Sequence, residues 1–386
     1  MKDSVALLDN LIGFPTVSSD SNLEMIVFIG TILEQHGIAY RIIGDESGKK
    51  ANLYATVGPT DRPGVMLSGH TDVVPVEGQT WTVDPFTMSE SDGRLYGRGT
   101  TDMKGFLACM LRAATKASTM NLKTPLHLAF SYDEEIGCVG VRSLIDMLDK
   151  APQKPAFCII GEPTSLQVAT AHKGKTALRA TCHGRECHSA LAPEGLNAIH
   201  LATDLISEIR SLQSEIEKNG ARDGDYDVPY TTLHVGIING GSALNIVPGY
   251  CTLEFEFRNL AADEPQVLID EIRQRAGRIV AEARKTAVEA DIIIDIPFAY
   301  PGLDTPPDSE VVSFVKSLTG ANSTTKIAFG TEGGLFQQKL DIPTVVCGPG
   351  SMSQGHKPDE FIARQQIEAC DTMLDELLKR LAAGQP

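Results

Sequence analysis

The sequence predicts an α/β protein in which a mostly parallel-sheet domain is interrupted by an inserted ferredoxin-like (βαββαβ) unit. Three observations carry this. Short apolar runs without alternation are separated by helical segments, the pattern of strands covered on both faces. Between residues 176 and 298 the pattern changes to alternating strands and long amphipathic helices in the order βαββαβ. A chain of 386 residues also exceeds one ordinary core and asks for two domains or a large insertion.

Taken in order, helical periodicity opens the chain with Val5, Leu8, Leu11 and Ile12 and stops at Pro15. It resumes from Leu23 to about His36, with Ile26, Phe28, Ile32 and Leu33 on one side. Strands are expected at 52–57, 65–67, 126–130, 157–160 and 344–347, with helices at 105–116 and 142–148. In the middle, 176–183 alternates as a half-buried strand, and 196–218 is an amphipathic helix carrying Ile199, Leu205, Ile209, Leu212 and Ile216. Strands at 231–238 and 250–258 follow. A second helix after Pro265 carries Leu268, Ile272, Ala276 and Ile279, and a strand at 291–298 closes the unit. Pro and Gly cluster near Gly174 and at 300–307, which places the linkers there. The expected domains are a discontinuous one, 1–175 with 299–386, and an inserted one, 176–298.

With 50 acidic against 34 basic residues, the net charge of -16 argues against partners such as nucleic acid or an anionic membrane surface. No run approaches the roughly 18 apolar residues of a membrane span. The opening MKDSVALLDNLIGF carries acids where a signal peptide needs an apolar core, so a cytoplasmic location is expected. Eight cysteines lie scattered without a Cys-x-x-Cys pair, as expected of reduced, mostly buried thiols; Cys182 and Cys187 receive no role.

In an open parallel sheet, ligands bind beyond the carboxyl ends of the strands. The residues that follow the expected strands there are His70 and Asp72 in SGHTD, Glu134 and Glu135 in SYDEE, and Glu162 in GEPT. His356 follows in GPGSMSQGH, and GRGTTDMKG delivers Asp102 before a helix. Singly, each has an ordinary explanation: a loop histidine is commonly a surface residue, and Asp102 could be an N-cap. Together, several carboxylates at one sheet edge would destabilise the fold unless cations offset them. Imidazole and carboxylate without thiolate suit Zn²⁺ or another borderline divalent ion. Two metals bridged by one carboxylate, about 3.5–4 Å apart, would use five such ligands, the number available.

SGHTDVVP, GRGTTDMKG, SYDEEIG, GEPTS, CHSA and GHKPDEF, in this order and spacing, resemble the co-catalytic zinc amidohydrolases. That family includes acetylornithine deacetylase, succinyl-diaminopimelate desuccinylase, aminoacylase and carboxypeptidase G, and the resemblance covers nearly the whole chain. It implies that 1–175 with 299–386 is the metal-binding catalytic domain and 176–298 a lid and dimerisation domain. It implies two Zn²⁺, replaceable by Co²⁺, with His70 and Glu162 on one, Glu135 and His356 on the other, and Asp102 bridging both. Asp72 would orient His70, and Glu134 would be the general base. His188, in CHSA of the lid, matches a histidine that in relatives swings over the site, sometimes from the partner subunit, to stabilise the oxyanion.

Asn245 and Arg258 stand where relatives contact a substrate carboxylate, although either could equally be structural, Arg258 by pairing with a neighbouring acid. Glu332, in GTEGG, would face the side-chain amine of a cationic substrate. GEPT followed by GTEGG looks, within the family, most like the hydrolysis of N2-acetyl-L-ornithine to ornithine and acetate, a step of arginine biosynthesis, and the family resemblance implies a homodimer joined through the lid. The alternatives are a broader N-acyl-amino-acid deacylase, a succinyl-diaminopimelate desuccinylase or a dipeptidase with the same machinery. From another class, a catalytically silent metal-binding scaffold would need no uncommitted base such as Glu134. A dinucleotide-binding enzyme would need a Gly-x-Gly-x-x-Gly fingerprint, which is absent after the early strands.

Overall fold

The computed structural model describes residues 3–18 and 20–385. The chain opens with α1 (Ser4–Ile12) and α2 (Leu23–Gln35). Asp3 caps α1 by accepting from the Ala6 N–H, and the helix buries Leu7, Leu8, Leu11 and Ile12. Strands β1 (Tyr40–Gly44), β2 (Ala51–Val57) and β3 (Val65–His70) follow. Then come α3 (Lys104–Ala117), β4 (Leu126–Ser131), α4 (Val141–Asp149), β5 (Phe157–Pro163) and β6 (Val168–His172).

From Lys173 to Gly302 the chain forms a separate compact unit. It holds β7 (Gly174–His183), α5 (Ala198–Asn219), β8 (Thr232–Gly240), β9 (Tyr250–Asn259), α6 (Pro265–Ala283) and β10 (Asp291–Tyr300). Its antiparallel sheet runs β8-β9-β7-β10. Alternation in β7 and β9 turns Leu178, Ala180, Leu253, Phe255 and Phe257 onto Leu201, Leu205, Ile209 and Ile272 of the two helices. This is the βαββαβ arrangement expected.

The first unit resumes with β11 (Leu303–Asp304), α7 (Glu310–Thr319), β12 (Thr324–Ile327), α8 (Gly333–Leu340), β13 (Thr344–Gly348) and α9 (Arg364–Ala383). Its sheet runs β1-β2-β4-β3-β5-β13-β6-β11, with β12 beside β6. The four central strands β4, β3, β5 and β13 are parallel. Every residue in them is buried, which is why their sequences lack alternation. Register pairs His70 with Ser131 and Pro163 with Gly348, so all four strands end at one edge.

Several strands outside the four central ones differ from expectation. β1 was not anticipated because it is an edge strand whose residues are mostly exposed, and β2 runs antiparallel to both of its neighbours. β6 begins only a few residues after β5 and is buried throughout, so its sequence gives no turn-and-restart signal.

Candidate metal centre

The shared strand edge gathers the expected ligands. His70 ends β3, Glu162 is the penultimate residue of β5, and Asp102 precedes α3. Asp102 does not cap that helix: Met103 occupies the cap position, and no side chain bonds there. Its carboxylate is 3 % exposed and splits its two oxygens between two histidines. Oδ1 lies 3.1 Å from His70 Nε2, and Oδ2 lies 3.1 Å from His356 Nε2. Glu162 Oε1 is 3.4 Å from His70 Nε2, and Glu135 Oε2 is 3.1 Å from His356 Nε2. Two three-residue groups result, His70–Asp102–Glu162 and Asp102–Glu135–His356, joined at Asp102.

These separations suit a cation better than hydrogen bonds alone. His70 Nδ1 donates to the Asp72 main-chain carbonyl at 2.9 Å, and that oxygen can only accept. Nδ1 therefore carries the hydrogen, and the neutral ring turns the Nε2 lone pair toward two carboxylates. Lone pair against carboxylate is repulsive until a proton or a metal lies between. At His356, one Nε2 likewise faces two carboxylates, and one N–H serves only one of them well. Donors held about 2.0–2.1 Å from a tetrahedral metal stand roughly 3.3 Å apart, close to the spacings found.

The electrostatics agree. Burial, with repulsion from Asp102, pushes Glu162 up to about 8 and Glu135 up to about 7. Burial also raises Glu134 well above the usual carboxyl range, reinforced by the charge of Glu162. For Asp102 burial works upward, but hydrogen bonds from His356 and His70 hold it below the usual range. His356 is carried up to about 10 by its bonds to Asp102 and Glu135. Burial opposes the charged form of His70, yet Glu162 and its other acidic partners raise it well above its ordinary value. Protons thus occupy the places that a dipositive ion would neutralise.

Asp72 is 2 % exposed and, as expected, contacts His70. Its carbonyl, more than its carboxylate, orients His70; the carboxylate Oδ1 is 3.4 Å from Nδ1. The carboxylate also accepts from the backbone N–H of Glu134 at 3.1 Å and Glu135 at 3.3 Å, and from the Ser18 hydroxyl at 2.8 Å. Glu134 is half-buried, and its Oε1 accepts from the Cys138 thiol at 3.3 Å. Glu332, expected to touch a substrate amine, is only 1 % exposed. Its carboxylate reaches the Ser68 hydroxyl at 3.5 Å, and burial pushes it up to about 7.

In the inserted unit, His188 and Asn245 come together: Cys187–His188 pairs with Ile246–Val247, and the Ser189 N–H donates to the Asn245 carbonyl at 2.9 Å. His188 is exposed, and its Nδ1 accepts from the Ala190 N–H at 3.1 Å. Arg258 is the penultimate residue of β9, whereas Asn245 precedes the start of that strand. The Arg258 guanidinium donates to Glu256 at 2.8 Å and to the Tyr300 hydroxyl at 3.2 Å, so the alternative of a neighbouring acid is realised. Cys187 is half-buried, the other seven cysteines are buried, and all eight are free thiols.

Sequence reasoning missed Ser18, Arg98 and Glu360. Arg98 and Glu360 form an ion pair at 2.6 Å with both side chains 1 % exposed. Glu360 also accepts from the N–H of Asp102 at 3.1 Å. Both sit inside motifs already singled out, GRGTTD and KPDEF. A charged residue embedded in a ligand-bearing motif was the available signal.

The parallel sheet, with acid and imidazole converging at its carboxyl edge, defines a metal-dependent hydrolase. The description Peptidase family M20/M25/M40 matches residues 66–380. The chain belongs to this family. It is 34 % identical to acetylornithine deacetylase of Proteus mirabilis (strain HI4320) over 389 residues, covering 99 % of this chain and 97 % of that one. Among solved structures, an M20 family metallo-carboxypeptidase from Sulfolobus solfataricus shares the fold with a TM-score of 0.78 and 20 % identity, covering 99 % and 100 % of the two chains. A dinuclear metal-binding M20 peptidase from Bacillus subtilis does so with a TM-score of 0.67 and 16 % identity, covering 97 % and 96 %. Among the described residues, no helix is long and apolar enough to cross a membrane.

Proposed function

We propose that this protein hydrolyses the amide bond of N2-acetyl-L-ornithine, releasing L-ornithine and acetate, with two zinc ions held by the two joined ligand groups. The observation that carries it is the division of the Asp102 oxygens between His70 and His356, which suits a carboxylate bridging two ions. The choice of substrate rests on the similarity to the Proteus mirabilis enzyme. Co²⁺, with similar ligand preferences, would substitute.

His70, Asp102 and Glu162 would hold one ion, and Asp102, Glu135 and His356 the other. When bound, the pair supplies Lewis acidity to the attacking water and to the scissile carbonyl. Glu134, raised by burial and by its acidic neighbours, takes a proton from the water and delivers it to the leaving amine nitrogen. Asp72 holds the Glu134–Glu135 backbone still while this happens. His188 is the donor assigned to the developing oxyanion, and Asn245 the group assigned to the substrate carboxylate, while Arg258 is engaged by Glu256 and Tyr300. Glu332 is the residue assigned to the side-chain amine of a cationic substrate. The working form is a cytoplasmic homodimer joined through the inserted unit.

The test is a panel of N-acyl amino acids and dipeptides assayed with added Zn²⁺ or Co²⁺. Acetylornithine should give the highest kcat/KM. Faster cleavage of acetylmethionine, of a succinyl amino acid or of a dipeptide would overturn the substrate assignment while leaving the machinery in place.

A further inference from the structure

The two ligand groups are built on unequal supports. His70 and Glu162 belong to central buried strands, and their side chains are 1 % and 3 % exposed. His356 belongs to a loop, its side chain is 48 % exposed, and its backbone has φ +62°, a conformation that L residues rarely adopt unless something holds them there. What holds it is a chain of side chains that play no part in the proposed chemistry.

Gln79 Nε2 donates to the His356 main-chain carbonyl at 3.1 Å. The other end of that amide, Oε1, accepts from Arg98 Nη2 at 2.6 Å and from the Trp81 indole at 3.1 Å. With two donors on Oε1, the orientation of the amide is settled and Nε2 must face His356. Arg98 Nη1 donates to Glu360 Oε2 at 2.6 Å, and the guanidinium lies 5.0 Å from the centre of the Trp81 ring. Glu360 Oε1 accepts from the N–H groups of Thr101 at 2.9 Å and Asp102 at 3.1 Å. The path runs from the Asp102 backbone through Glu360, Arg98 and Gln79 to the His356 backbone. It thus joins two ligands of the same group and bypasses His70 and Glu162.

We infer that Gln79, Arg98 and Glu360 are positioning residues that set His356 against Asp102 and thereby govern one metal subsite, Asp102–Glu135–His356, selectively. This rests on the two-ion reading above. Loss of the clamp loosens a loop ligand, while the strand-borne ligands keep their places. Outer groups of this kind typically change metal affinity 10–100-fold.

The experiment measures the two stepwise Zn²⁺ dissociation constants of the full chain against a competing chelator, with a melting curve for each variant. Gln79→Ala removes the contact. Gln79→Glu keeps the volume and the Arg98 pairing but replaces the donor with an acceptor. Both should weaken one binding event 10–100-fold and leave the other within about threefold. Glu360→Gln is the less selective variant, because Asp102 belongs to both groups and breaking a buried ion pair can cost folding, so the half-buried Gln79 decides. Two constants that shift together, or neither shifting in both Gln79 variants, would overturn the clamp. A wild-type chain that binds only one ion would instead sink the two-ion reading, and the clamp with it.

Discussion

Asp72 accepts a hydrogen bond on Oδ1 from the backbone N–H of Glu134, 62 residues further along the chain, at 3.1 Å. The main-chain carbonyl of Asp72 meanwhile receives the Nδ1 hydrogen of His70 at 2.9 Å. One residue thus contacts a candidate ligand on β3 and the proposed base that follows β4. Asp72→Asn keeps the shape but turns one N–H acceptor into a donor, so kcat/KM on acetylornithine should fall about 10–100-fold with some loss of metal. Steady-state kinetics with metal analysis on the same samples checks this.

Glu134 holds no place in either ligand group, although Glu135 beside it does. Glu134→Ala should therefore keep its full metal content while kcat drops by about 10²–10⁴, the usual worth of a general base. Full activity in this variant would remove Glu134 from the mechanism.

Gly161 shows how the sheet presents Glu162. A Cβ at this position would stand 1.9 Å from the Phe106 ring, so only glycine lets α3 lie this close to the end of β5. Gly161→Ala should cost about 1–3 kcal/mol of stability by forced repacking. The same shift should weaken metal binding through Glu162. Denaturant unfolding together with metal affinity reads both.

His127, inside β4, gives a pH dependence remote from the metal ligands. It is 8 % exposed, its Nδ1 lies 3.0 Å from the Thr56 hydroxyl, and burial lowers it from 6.5 to about 4. The unfolded chain takes up this proton first. Stability from the neutral ring is fully present above about pH 6.5 and is lost as pH falls toward 4, by roughly 3 kcal/mol in all. Urea unfolding at a series of pH values should show a shallower slope over this window for His127→Gln than for the natural chain. Parallel slopes would contradict the assignment.

The sequence made the central sheet legible because strands buried on both faces need unbroken apolar runs, as in 126–130 and 344–347. The ligand-bearing turns could be read for the same reason: polar groups follow directly where such runs stop. The edge strand β1 was illegible because its residues face water on most sides. The contacts of Ser18, Arg98 and Glu360 were illegible because each partner lies far away in sequence, as Asp102 does from Glu360 across 258 residues. The depth of Glu332 escaped for a related reason: glycine-rich surroundings suggest access to a ligand, but they also allow tight packing, and in GTEGG the second holds.

Metal titration with product release measured in the same samples tests the central claim most directly. Chelator-stripped protein should release no ornithine from N2-acetyl-L-ornithine, and added Zn²⁺ should restore release, reaching its full value at two ions per chain as the two groups joined by Asp102 require. Undiminished release from metal-free protein, or none from protein reloaded with two ions, would contradict it.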